Sequence, residues 1–307
     1  MSRFYDALKE ASRSLSKANG NPVGGTLASD GNELLNEAIA RAAVTPPVLT
    51  PDPGPAEMAA MLDDELVDRG AQPQNSSFAT KVHVAFDLKA RLVTNAADSA
   101  VSEHYRRLRT KILQQQATKP FRSLIVVSPS PQEGKTVTVL NLGLTFAMLP
   151  SFKVLVVDGD LRRGNIGERL GVENHPGLTD LIEGSAKMED VVLRCEDTPM
   201  HFIVRGNSKV PPAELLHSQR LGTQFRRLSE EFDLVLVDSA PVNVVTDTQL
   251  LAGSCDAVLL VARAFSTTRK AMEQAVQDLS PFRIIGTVLN GGPRTHGYRR
   301  YTGYYRR

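Results

Sequence analysis

The segment Ser128-Pro129-Ser130-Pro131-Gln132-Glu133-Gly134-Lys135-Thr136 follows the apolar run Leu124–Val127 and opens a stretch with helical apolar spacing. A strand, a loop ending Gly-Lys-Thr and a helix together form a phosphate cradle, because backbone N–H groups and the helix N-terminus converge on phosphate oxygens. In that arrangement Lys135 reaches the β- and γ-phosphates and the Thr136 hydroxyl sits on Mg²⁺. Two later apolar runs end in acids: Val154–Val157 leads into Asp158-Gly159-Asp160-Leu161-Arg162, and Leu234–Val237 leads into Asp238. The carboxyl ends of parallel strands lie on one edge, where ligands bind, so Asp158, Asp160 and Asp238 are expected beside Lys135. Mg²⁺ takes one or two carboxylates together with water and phosphate oxygens, which leaves a third acid for proton abstraction. A single strand-end Asp is more often a turn former; it is the convergence of three on a Gly-Lys-Thr loop that points to chemistry.

The elements that must position these groups are visible as alternating patterns. Short β-rich runs at Leu124–Val127, Val154–Val157, Phe202–Val204, Leu234–Val237, Ala257–Val261 and Ile284–Leu289 are separated by helical stretches such as Thr136–Leu149, Ser218–Glu231 and Thr267–Leu279. Apolar runs without polar alternation are buried on both faces, and strand–helix alternation implies an α/β fold, a mainly parallel sheet flanked by helices. The compact part is expected over 91–292. Ahead of it, 1–90 reads as a poorly ordered arm: an amphipathic helix over 2–17, five prolines between Pro46 and Pro55, and one strand from the alternation of Val82, Val84, Phe86 and Leu88.

Composition narrows the class. The 307 residues carry 36 basic and 34 acidic side chains. Residues 1–90 hold 8 basic and 12 acidic groups, whereas 294–307 hold five Arg and no acid. The basic excess therefore sits in a short tail, which excludes a pan-basic nucleic-acid binder. The longest apolar run, Ala257–Ala262, falls far short of a membrane span, and the two cysteines build no disulfide framework. The expected location is cytoplasmic. There is no His pair at metal-ligand spacing and no Gly-x-Ser-x-Gly elbow.

Four of six tyrosines, Tyr298, Tyr301, Tyr304 and Tyr305, lie in the last ten residues. With the last strand ending near Asn290, the tail should leave from the edge that holds the phosphates. Extended, it carries Tyr305 at most roughly 43–47 Å and Tyr298 about 20 Å from Gly292. Four phosphates would turn its charge from +4 to roughly −2 to −4. Alone, such an Arg/Tyr/Gly tail would be read as a disordered segment that touches RNA or anionic lipid; with the upstream motifs it reads as a substrate.

Taken together, the Walker A loop ending Gly134-Lys135-Thr136, the Walker A′ element Asp158-x-Asp160-x-Arg162 and the Walker B segment Asp238-Ser239-Ala240-Pro241 resemble the bacterial protein-tyrosine kinases. Glu103-x-x-Arg106-x-x-Arg109 is similar to that family's oligomerisation motif, and Met1–Lys9 resembles the N-termini of polysaccharide-locus members. The loop departs from the common pattern at Pro129 and Gln132, and Ala240 stands where Pro is usual. The resemblance implies a P-loop fold and an ATP- and Mg²⁺-dependent autokinase that phosphorylates its C-terminal tyrosines in trans within a ring. It implies a nucleotide site from Ser130, Pro131, Gln132, Glu133, Gly134, Lys135, Thr136, Val137 and Arg162. Metal would fall to Thr136, Asp160 and Asp238, and catalysis to Asp158 with Lys135; the division between Asp158 and Asp160 stays open. It further implies regulation of exopolysaccharide polymerisation or export, an inner-membrane co-polymerase as activator, a cognate phosphotyrosine phosphatase, and peripheral membrane location through the partner.

Two other classes share this loop. Partitioning-type ATPases carry an extra lysine four residues before the last loop glycine, where this chain has Ser130. A non-catalytic nucleotide-binding adaptor would bind ATP and present its tail to a partner. A GTPase is disfavoured, since no Asn-Lys-x-Asp motif occurs. On spacing alone, Glu103, Arg106 and Arg109 share one helix face that is ordinarily a solvated one.

Overall fold

The computed structural model describes residues 79–84, 100–172 and 174–292, all within one unit of the chain, Pro73–Arg307. The helix expected over 2–17, the Pro-rich stretch and the tyrosine tail lie outside the described residues. In chain order the elements are β1 (Thr80–Val82), α1 (Ala100–Thr118), β2 (Ser123–Val127), α2 (Lys135–Ala147), β3 (Val154–Asp158), α3 (Ile166–Leu170), α4 (Leu178–Glu183) and α5 (Met188–Val191). There follow β4 (Leu193–Cys195), β5 (His201–Ile203), α6 (Pro212–Leu216), α7 (Gln219–Glu231), β6 (Leu234–Asp238), α8 (Asp247–Ala252), β7 (Ala257–Arg263), α9 (Arg269–Asp278) and β8 (Ile284–Asn290).

These strands form one eight-stranded sheet in the order β1-β4-β5-β3-β6-β2-β7-β8. The pairs from β5 to β8 are parallel, as expected, but β8 is not buried on both faces: as the edge strand it has only β7 beside it and is half-buried to exposed throughout. The exception is β4, which runs antiparallel to β5 and carries β1 parallel to itself at the sheet edge. The alternation starting at Val82 marks this edge strand, but the strand lies at Thr80–Val82. It belongs to the same sheet although it precedes Arg91.

Side chains of successive residues face opposite sides of a strand, and the central strands divide two cores accordingly. Leu124 and Val126, Val154 and Val156, and Leu234 and Leu236 pack with Leu140, Leu144 and Phe146 of α2 and Ile112 of α1. Ile125 and Val127, Leu155 and Val157, and Val235 and Val237 pack with Leu181 of α4, Phe225 and Leu228 of α7, and Leu251 of α8. Each fully buried Leu, Val or Phe contributes about 1.5–3 kcal/mol of transfer free energy, so this double layer holds the strand ends rigidly in place. Among the described residues no helix is long and apolar enough to cross a membrane.

Candidate active site

The loop after β2 is held by its own side chains. Ser128 Oγ donates to the Ser130 carbonyl at 2.7 Å, and the Ser130 N–H donates to Glu133 Oε2 at 3.0 Å. Gly134, which caps α2, has φ +98°, a left-handed conformation that favours glycine. A Cβ there would also stand 2.5 Å from Asn290 Nδ2. Lys135, the first residue of α2, is buried and donates through Nζ to Ser128 Oγ at 3.0 Å. Its side chain thus folds back over the loop, towards where phosphate oxygens would be held. Burial lowers its pKa, opposed by the charges of Asp238, Asp160 and Glu133.

The acids converge on the same place for a topological reason. Asp158 and Asp238 are the last residues of β3 and β6, and they are direct register partners across that parallel pair. Both are only 1% exposed. Thr136 Oγ1 donates to Asp238 Oδ2 at 2.6 Å, tying the α2 N-terminus to the β6 end. Asp158 Oδ2 accepts the Ile166 N–H at 3.0 Å, and Gly164 lies so close that a Cβ would sit 2.4 Å from Asp158 Oδ1. Asp160 is less buried and its Oδ1 accepts from the backbone N–H groups of Arg163 and Arg162 at 2.9 and 3.3 Å. Burial and the neighbouring Asp238 push the Asp158 carboxyl up to about 8. Burial pushes Asp238 up to about 6, against the Thr136 hydrogen bond and the Lys135 charge.

Asp158 Oδ1 and Asp238 Oδ1 are buried without a hydrogen-bond partner. An unsatisfied buried carboxylate oxygen is costly, and two of them beside a buried lysine and a loop of N–H donors fit a cation shared with phosphate. Among the described residues no group of three or more His, Cys, Asp or Glu side chains forms a metal cage. Mg²⁺ takes only one or two carboxylates and fills the rest of its shell with water and phosphate oxygens.

Several predicted positions find other partners. The Arg162 guanidinium forms a two-pronged pair with Asp247 of α8, at 2.6 and 3.1 Å, instead of turning to the loop. Glu133 is buried, its side chain bracing the loop by accepting from Ser130 N and from Thr267 Oγ1. Pro131 and Gln132 are exposed at the loop tip, while Val137 is half-buried behind it. Glu103 pairs with Arg106 and Arg107 at 3.4 and 3.3 Å, whereas Arg109 donates to the Thr145 carbonyl of α2 at 2.6 Å. Arg109 thus fastens α1 to α2, and all three side chains are half-buried.

Sequence reasoning missed Asp247, Thr267 and Asn290. Asn290 Nδ2 donates to the Glu133 carbonyl and Thr138 Oγ1 at 3.1 and 3.2 Å, which brings the end of β8 against the loop. Its position at the end of an apolar run was the available signal. The Walker B side is joined to the loop by Val242 N to Ser128 O and Asn243 N to Pro129 O, at 2.9 and 3.3 Å.

The chain matches no protein-family model. It is 30% identical over 192 residues to the tyrosine-protein kinase YwqD of Bacillus subtilis, covering 62% of this chain and 81% of that protein. It is 32% identical over 199 residues to the tyrosine-protein kinase Ptk of Acinetobacter johnsonii, covering 65% of this chain but only 26% of that longer protein. Among solved structures, the kinase domain of the Escherichia coli tyrosine kinase ETK superposes with a TM-score of 0.64 at 30% identity, covering 70% of this chain and 85% of that one.

Proposed function

The chain belongs to the bacterial tyrosine-protein kinases, and on that premise we propose that it transfers the γ-phosphoryl group of ATP to its own C-terminal tyrosines in trans. The supporting observation is the meeting of Lys135, Thr136, Asp158, Asp160 and Asp238 at one sheet edge, with Asp158 Oδ1 and Asp238 Oδ1 buried and unsatisfied. The loop amides from Gln132 to Thr136, together with Lys135, hold the phosphates. Thr136, Asp160 and Asp238 are the groups that would hold Mg²⁺. What a bound Mg²⁺ supplies is neutralisation of the charge that builds on the phosphate oxygens. Asp158 takes the proton of the acceptor hydroxyl, and Arg162 joins the nucleotide site after leaving Asp247. Water exclusion follows from the burial of the strand ends.

In this reading 91–292 is the catalytic domain, 1–90 an arm and 293–307 the substrate tail carrying Tyr298, Tyr301, Tyr304 and Tyr305. The last strand ends at Asn290, which lies against the phosphate loop, and this supports a substrate segment that begins beside the reacting edge. Glu103, Arg106 and Arg109, all half-buried on α1, form the proposed ring contact. By family resemblance the setting is exopolysaccharide polymerisation or export, with an inner-membrane co-polymerase as activator and a phosphotyrosine phosphatase resetting the tail. Incubation with Mg·ATP, with and without the cytoplasmic segment of a candidate activator, followed by mass-spectrometric mapping, tests the proposal. Phosphate on Tyr298–Tyr305 that vanishes in Lys135→Met is expected; a bare tail under all conditions contradicts it.

A further inference from the structure

Just beyond β7 the chain makes an expensive choice. Phe265 is 93% exposed and its backbone adopts φ +61°. A bulky side chain is disfavoured in the left-handed region, and an exposed ring gains nothing from a core; such outliers persist where they serve a site.

The loop that holds Phe265 is not loose. Arg263 Nη1 donates to the Gln132 carbonyl at 2.9 Å, and the Arg263 N–H donates to Thr267 Oγ1 at 2.7 Å. Thr267 Oγ1 in turn donates to Glu133 Oε1 at 2.6 Å, and the Ala264 N–H donates to the Asn290 carbonyl at 2.8 Å. Phe265 is thus presented by a loop tied to the phosphate loop at two points.

The strand order supplies the direction. The acids stand at the ends of β3 and β6, on one side of β2, while β7 and β8 flank its other side. A nucleoside triphosphate whose terminal phosphate lies at the acids must run its ribose and base the opposite way, past β2 towards the ends of β7 and β8. Adjacent strands lie about 4.8 Å apart, so the β7 loop is within reach of a nucleotide held on the phosphate loop. Resting on the nucleotide-binding reading above, we propose that Phe265 is the stacking platform for the ATP base and sets nucleotide affinity from outside the phosphate cradle. Aromatic side chains stack on bases through their π-faces, with an effect large enough to measure by truncation.

The test compares Mg·ADP with Mg·tripolyphosphate, which fills the phosphate loop but has no base, by calorimetry on the full chain. Phe265→Ala is expected to weaken Mg·ADP binding about ten-fold or more while leaving Mg·tripolyphosphate unchanged, with Phe265→Tyr restoring the wild-type value. In turnover the KM for ATP rises and kcat stays. Phe265→Gly, which relaxes the backbone, should show the same selective loss in a more stable protein. Equal weakening of both ligands, or no change in Mg·ADP, overturns the assignment and leaves partner docking as the role of the exposed ring. A wild-type chain that binds neither ligand overturns the nucleotide reading itself, and this assignment with it.

Discussion

The two flanks of β2 treat polar groups in opposite ways. On the β7–β8 side, the buried Glu133 carboxylate accepts from Ser130 N and Thr267 Oγ1, and Asn290 donates to both the Glu133 carbonyl and Thr138 Oγ1. On the β3–β6 side, Asp158 and Asp238 are just as buried, yet each keeps an oxygen without a partner. The same loop lies between them. One flank is a finished scaffold, and the other leaves buried acceptors open, which in the proposed reading a cation and phosphate would complete. Unfinished polarity costs stability, and in the proposed reading it separates the groups that react from those that hold.

That contrast can be broken most sharply at the reacting flank. Lys135→Met or Asp238→Asn should lower phosphotyrosine formation by about a thousand-fold, read as single-turnover transfer at saturating Mg·ATP, with the fold intact by circular dichroism. Asp158→Asn should abolish transfer as well, but stabilise the nucleotide-free protein. With its folded value raised to about 8 from an ordinary 3.8, the Asp158 carboxyl contributes stability below pH 4 that is lost as pH rises through 8. Denaturant titrations at pH 5 and pH 8 should therefore show the variant gaining on wild type with pH, on the order of 3 kcal/mol at pH 8.

On the scaffold flank the sign reverses. Glu133→Ala leaves the Ser130 N–H and the Thr267 hydroxyl without their acceptor and should cost about 2–3 kcal/mol in urea unfolding. A stabilising Glu133→Ala would erase the distinction between the flanks. Asp247→Ala should do least to stability, no more than about 1 kcal/mol, because the Arg162 side chain it releases is already 46% exposed. Its expected signature is kinetic, a change in KM for ATP as Arg162 becomes free to reach the nucleotide.

Much of the placement of the reacting flank is legible in the sequence. Apolar runs that end in Asp place Asp158 and Asp238 at one edge, because both-face burial implies parallel strands whose ends align. The loop Gly134-Lys135-Thr136 carries its own chemistry in its residue types. The scaffold flank was far less legible, since Thr267 and Glu133 are 134 positions apart and meet only through tertiary packing. The same holds for Arg162 and Asp247, 85 positions apart, and for Arg109, whose helical spacing says nothing about the Thr145 carbonyl it finds. Towards the β1 edge, β5 was legible as the run Phe202–Val204, whereas β4, three residues long, is too short for periodicity to mark it or to reveal its antiparallel pairing with β5.

The most direct test of the whole account mixes two inactive halves. A Lys135→Met chain keeps the tail but lacks the reacting lysine; a chain with Tyr298, Tyr301, Tyr304 and Tyr305 all changed to Phe keeps the site but offers no acceptor. Incubated together with Mg·ATP and the activator segment, the pair should place phosphate on the tail of the Lys135→Met chain. A bare tail on that chain, while wild type labels itself under the same conditions, would contradict transfer from one copy's carboxylate flank to its neighbour's tyrosines.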